Sequence, residues 1–222
     1  MIMMNTVLTK TFPPPPIDKK EILRYAGVKD NTQDIDALLY ECLGEIADKL
    51  TYKVCYAQFP VSFCDNSIDL SFAKVQSESL RKNLSHCHSF ILFAATVGIE
   101  IDRLILKYGK ISPSKALMLQ AIGAERIESL CNEFNRTITK EYGGTKPRFS
   151  PGYGDLALKI QQDFFRVLDP SRRIGLTLNS SMLMTPTKSV TAIIGIYDKE
   201  EISIEHNCSS CNKTDCSFRR KP

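Results

Sequence analysis

The chain has 222 residues, 43% of them hydrophobic and 24% charged, with a net charge of +4. That make-up describes an ordinary globular protein, long enough for one large domain or two small ones, and the mild charge permits an acidic partner without demanding nucleic acid. The longest apolar run, residues 90–99, is about half of a membrane span, and the N-terminus shows no secretion signal, so the expectation is a cytoplasmic protein with no membrane partner.

Along the chain, a short leading strand is followed by "TFPPPP" at 11–16, a stiff extended connector. "DKKEILRYAG" follows as a helix, with Asp18 and Glu21 at capping-box spacing and Gly27 as a stop. A second helix over 33–50 carries Ile35, Leu38, Leu39, Cys42, Leu43 and Ile46 at helical spacing. The period then changes: residues 52–63 are aromatic and β-branched, and 67–75 alternate apolar with polar, as strands do. Residues 88–98 predict a buried strand ending at Gly98, and "IEIDRLILKYG" a helix leaving it. The longest helix runs from about 113 to 142, with Ile127, Leu130, Cys131, Phe134 and Ile138 on one face. Another helix is predicted from Asp155 to a stop at Pro170, and residues 174–198 supply one or two more strands around a turn at Pro186. The fold class is α+β: a mostly antiparallel twisted sheet covered by helices. Residues 1–205 form this domain and 206–222 a short cysteine-rich tail.

Between two of the helices lies "RFSPGYGDL" at 148–156. The arginine presents a flat fork that suits a carboxylate. Gly152 allows close approach to the main chain, Pro151 limits the entropy lost when the loop orders, and Tyr153 offers a ring face and a hydroxyl. Together they describe a pocket for an amino-acid nucleoside; the plainer alternative is a Pro-Gly turn beside a surface arginine.

"RFSPGY" is similar to the Arg-x-x-x-Gly-Tyr signature of the S-adenosylmethionine-binding activation domain of cobalamin-dependent methionine synthase. "FILFAATVGIEID" at 90–102, "AIGAERIESLCNEF" at 121–134 and "IGLTLNSSMLMTPTKSVTAIIGIY" at 174–197 resemble further segments of that domain, in the same order. The resemblance covers residues 88–198 and extends only loosely to 1–87. It implies an activation-domain-like fold that binds S-adenosylmethionine and presents its methyl group to a cobalamin held elsewhere. There cobalt is reduced by an electron from a flavodoxin-type donor and then attacks the sulfonium methyl. Such a domain needs no acid, base or nucleophile; its contribution is positioning. By the same resemblance Arg148 would hold the methionine carboxylate, and Pro151, Gly152 and Tyr153 would line the ligand. A carboxylate near the ligand's amino group falls at or beside Ser129. Glu128 is the nearest acid, placed on the flank of the apolar face, whereas Glu125 is expected roughly opposite that face; a solvated helix charge is the other reading of Glu128. Asp102 and Lys188 lie in matching segments without an assigned role. The chain carries no cobalamin, folate or homocysteine module, which implies a free-standing activator of a separate methionine synthase or other corrinoid protein, active in methionine biosynthesis.

Eight cysteines without an export signal point to thiols or metal ligands rather than a disulfide framework. Cys42, Cys55, Cys64, Cys87 and Cys131 are scattered and read as core filler. Cys208, Cys211 and Cys216 have metal-ligand spacing, with His206 or a distant cysteine as a fourth ligand for Zn. An Fe-S cluster would suit a redox activator, and free redox-active thiols or a disulfide are the other readings. The trailing "RRK" keeps a rival in view: a metal-tail binding module for a protein or nucleic-acid partner, without a methyl-transfer role.

Overall fold

The computed structural model describes residues 6–198. β1 (Leu8–Phe12) leads through the proline connector to α1 (Lys19–Tyr25) and α2 (Gln33–Ile46). β2 (Tyr52–Pro60), a small meander of β3 (Ser62–Cys64), β4 (Ser67–Asp69) and β5 (Lys74–Val75), and α3 (Glu78–Asn83) come next. β6 (Ser89–Thr96), α4 (Glu100–Ile111), α5 (Pro113–Tyr142) and β7 (Gly144–Thr145) follow, then α6 (Gln161–Leu168), α7 (Pro170–Ile174), the hairpin β8 (Thr177–Leu178) and β9 (Met184–Thr185), and β10 (Ser189–Tyr197). Five strands form one antiparallel sheet in the order β1-β2-β6-β10-β7. The α+β expectation holds.

This sheet is covered on both faces, and the alternation of β6 shows why its sequence reads as an unbroken apolar run. Ile91, Phe93 and Ala95 face a core built with α1, α2, α4 and α5. Phe90, Leu92 and Ala94 face a second core built with α3, α6 and α7. A strand buried on both sides has no polar face to show. α5 is the long support: 30 residues, about 45 Å, opened by Pro113 at the position where a missing N–H costs nothing and stopped at Gly143, whose φ is 86°. Phe134 anchors it, with ring contacts to Phe12, Tyr56 and Phe93.

Three local expectations are corrected. The span 67–75 is not one strand but two short ones, β4 and β5. The helix expected from Asp155 begins only at Gln161, after a 3₁₀ turn at Leu158–Ile160, and Pro170 opens α7 instead of merely ending a helix. Glu125 does not point away from the core: it and Arg126 are each 2% exposed. Arg126 donates to the carbonyl oxygens of Pro15 (2.6 Å) and Pro16 (2.7 Å) and to both carboxylate oxygens of Glu125. Glu125 Oε1 in turn accepts from the Asp18 backbone N–H and from Ser129 Oγ. The connector is therefore strapped to α5. A guanidinium only donates, so it grips the connector by its carbonyl oxygens.

The Asp18 side chain caps α1 through the Glu21 N–H. The reciprocal half of a capping box is missing, because Glu21 pairs with Arg24 while the Asp18 N–H goes to Glu125.

Candidate functional site

Residues 144–149 run antiparallel along β10. Gly144 and Thr145 pair with Tyr197 and Ile196, the Lys146 N–H reaches the Gly195 carbonyl, and Phe149 exchanges two 2.9 Å bonds with Ile193. This edge pairing fixes where Arg148 leaves the sheet. Its side chain crosses to α5, where Nη1 donates to Asn132 Oδ1 and Nη2 to Glu128 Oε2, each at 2.8 Å. Glu128 and Asn132 are four residues apart and so share one side of the helix. The arginine side chain is 20% exposed and that of Glu128 43%.

Beyond Arg148 the chain makes a tight, internally bonded turn. The Gly152 N–H donates to the Leu156 carbonyl, the Tyr153 N–H to Ser150 and the Leu156 N–H to Tyr153. Gly152 sits at φ 86°, a conformation in which a side chain would be strained. Pro151 is buried and Gly152 exposed. The turn is clamped from below by Asp155, whose carboxylate accepts from Ser77 Oγ (2.5 Å) and from the backbone N–H groups of Glu78 (2.7 Å) and Ser79 (3.1 Å). Asp155 thus caps the start of α3, not a helix of its own. Those bonds, the Ser77 hydroxyl first, hold its carboxyl down at about 2.

Two hollows flank the Glu128–Arg148–Asn132 line. The first, about 360 Å³, lies between α1, α5 and the start of β10, and Tyr153, Glu128, Glu21, Arg24, Tyr25 and Lys188 are among its walls. Tyr153 is 59% exposed. Glu21 and Arg24 are paired with each other. Lys188 lies flat across Gly123, where a Cβ would come within 2.9 Å of its Cγ and Cε, and its Nζ donates to Gln120 Oε1. Burial lowers its pKa, with Asp102 opposing. Asp102 itself holds the preceding turn, accepting from the Thr187 N–H and hydroxyl. The second hollow, about 450 Å³, is bounded by Pro15, Pro16, Asp18, Lys20, Ser129, Asn132 and Arg136 among others. Glu128 borders the first hollow and Asn132 the second.

Glu128 and Tyr153 border the first hollow; Arg148 borders neither hollow and is tied to them through Glu128 and Asn132, and Pro151 and Gly152 build the turn without bordering either. Ser129 is turned to Glu125 and the second hollow. Sequence reasoning missed Asn132, Asp155 and the resting place of Lys188. A glycine inside a long helix was the one available signal for the last, since Gly123 has no local reason to be there.

Cys42, Cys55, Cys87 and Cys131 are buried, as core filler should be, but Cys64, on the exposed strand β3, is not, which corrects that reading for it; all five are free thiols. Burial pushes the Cys55 and Cys131 thiols up to about 12, which keeps them protonated and unreactive. Among the described residues no group of three or more His, Cys, Asp or Glu side chains is placed to hold a metal ion, and no helix is long and apolar enough to cross a membrane. His206, Cys208, Cys211 and Cys216 lie outside the described residues.

No protein-family model and no curated protein matches the chain. Among solved structures it is similar to one described as the crystal structure of the MetH reactivation domain bound to AdoHcy, with a TM-score of 0.65 over 91% of this chain and 82% of that one. Sequence identity across the match is 12%, so what the two chains share is the fold: a curled antiparallel sheet flanked by helices.

Proposed function

We propose that this chain binds S-adenosylmethionine and supports methyl transfer from it to the cobalamin of a methionine synthase or another corrinoid protein. The observation that carries this reading is the Arg148 contact with α5. The loop that resembles the activation-domain signature delivers its arginine to the long helix, beside a hollow walled by Tyr153, in a chain whose fold is that of an AdoHcy-bound reactivation domain.

The residues suit the ligand. Arg148 offers a planar fork for the amino-acid carboxylate, Glu128 an acid for the α-ammonium, and the Tyr153 ring a partly exposed face for the nucleoside. Pro151 and Gly152 hold the turn that aims Tyr153. S-adenosylmethionine, when bound, supplies an electrophilic sulfonium methyl. The protein's part is to bind and orient it, and none of the site residues is required as acid, base or nucleophile.

A flavodoxin-type donor for the partner's cobalt, and a metal or cluster at Cys208, Cys211, Cys216 and His206, belong to the same proposal. Calorimetric titration of the purified chain with S-adenosylmethionine and S-adenosylhomocysteine tests its core. Saturable one-to-one binding of both is expected, and absence of binding by either removes the reading.

A further inference from the structure

In the free chain the carboxylate seat on Arg148 is already taken by a carboxylate of the protein. Nη2 holds Glu128 and Nη1 holds Asn132, both at 2.8 Å. Either two-bond fork of the guanidinium includes Nη2, the nitrogen that holds Glu128, so a ligand carboxylate seated there competes with Glu128. Glu128 is the member able to leave: Arg148 is 20% exposed and pinned between sheet edge and helix, whereas Glu128 is 43% exposed and borders the hollow. Once released, Glu128 would be an unpaired acid in that hollow. Glu21 there is already neutralised by Arg24, and Lys188 is turned to Gln120.

Resting on the reading above, we infer that Glu128 is a specificity-determining residue that exchanges partners on binding. The ligand's α-carboxylate replaces it on Arg148, and Glu128 turns to the ligand's α-ammonium. The class selected is an amino-acid nucleoside with both groups free. A zwitterionic end leaves all four charges paired. A carboxylate alone strands Glu128, and an ammonium alone finds Glu128 engaged. A ligand with neither group leaves the protein pair closed. Stranding one charge of a half-buried pair is unfavourable because its partner's attraction no longer offsets its desolvation.

The test compares the full chain with Glu128→Gln, using three probes: S-adenosylhomocysteine, its deaminated analogue (carboxylate kept, ammonium gone) and 5′-deoxy-5′-methylthioadenosine, which has neither. The exchange expects the deaminated analogue to bind about fivefold tighter to Glu128→Gln than to the unsubstituted chain, because its competitor has lost its charge. S-adenosylhomocysteine should lose affinity in the same variant, and methylthioadenosine should bind both proteins alike, which also checks that the variant is folded. If Glu128 merely steadies Arg148, the deaminated analogue binds the variant equally well or more weakly, and that result overturns the inference while leaving nucleoside binding intact. If none of the three binds the unsubstituted chain, the inference falls together with the reading beneath it.

Discussion

Arg148 and Glu128 lie 20 positions apart in sequence and 2.8 Å apart in space. The contact exists because residues 144–149 pair with β10 while α5 lies against the same sheet. It sets the first prediction. Arg148→Ala should weaken S-adenosylmethionine binding by about 1.5–3 kcal/mol, the scale of a hydrogen bond to a charged group. Arg148→Lys should restore only part of this, since an ammonium cannot reproduce the fork. Unchanged affinity in both variants by calorimetry would take Arg148 out of the site.

The strap on the proline connector gives a stability prediction. Arg126→Met leaves the Glu125 carboxylate, 2% exposed, without its counter-ion and should cost about 3–5 kcal/mol in urea unfolding. Adding Glu125→Gln should recover part of that loss by removing the stranded charge. A double variant no more stable than Arg126→Met would mean that the lost carbonyl contacts, not the charge, dominate.

Asp155 predicts a pH dependence. Its folded-state pKa, about 2, lies below the ordinary 3.8, so its contribution is present above that ordinary value and fades as pH falls toward 2. Asp155→Asn should therefore lower the Tm at neutral pH. The gap between the two proteins should narrow as pH drops from about 4 to about 2, where the native carboxyl protonates. A gap constant down to the lower limit would show that the Ser77 and α3 bonds do not depend on the charge.

Gly123 and Lys188 make a coupled pair. Alanine is favoured over glycine inside a helix by about 1 kcal/mol, yet a Cβ at 123 would press on Lys188. Gly123→Ala alone should gain less than that amount and weaken ligand binding by pushing Lys188 into the hollow. In a Lys188→Ala background the same change should show the full gain. Equal gains in both backgrounds would refute the contact.

The tail is tested by composition. Anaerobically purified full-length protein should carry about one ion per chain, with Cys208, Cys211 and Cys216 resisting alkylation until a chelator is added. Deleting residues 206–222 should remove the ion and leave S-adenosylmethionine affinity near normal. No metal, with all three thiols alkylating at once, would end the metal reading.

Elements whose cause is local were legible in the sequence. The apolar run of β6, the helical spacing of α2 and α5, the stop at Gly143 and the buried character of Cys42, Cys55, Cys87 and Cys131 all follow from periodicity and from what each backbone can adopt. The turn at Pro151 and Gly152 was legible for the same reason, since those residue types favour one. The partners depend on which distant segments pack together. Asp155 read as the opening of its own helix, but its carboxylate caps a helix that starts 77 positions earlier. Glu125 read as lying opposite the apolar face, but it is buried against Arg126, which grips prolines 110 and 111 positions away. Propensity records a residue's dealings with its chain neighbours. The partner that satisfies a buried charge is chosen by which segments the sheet order brings together, and no local pattern carries that information.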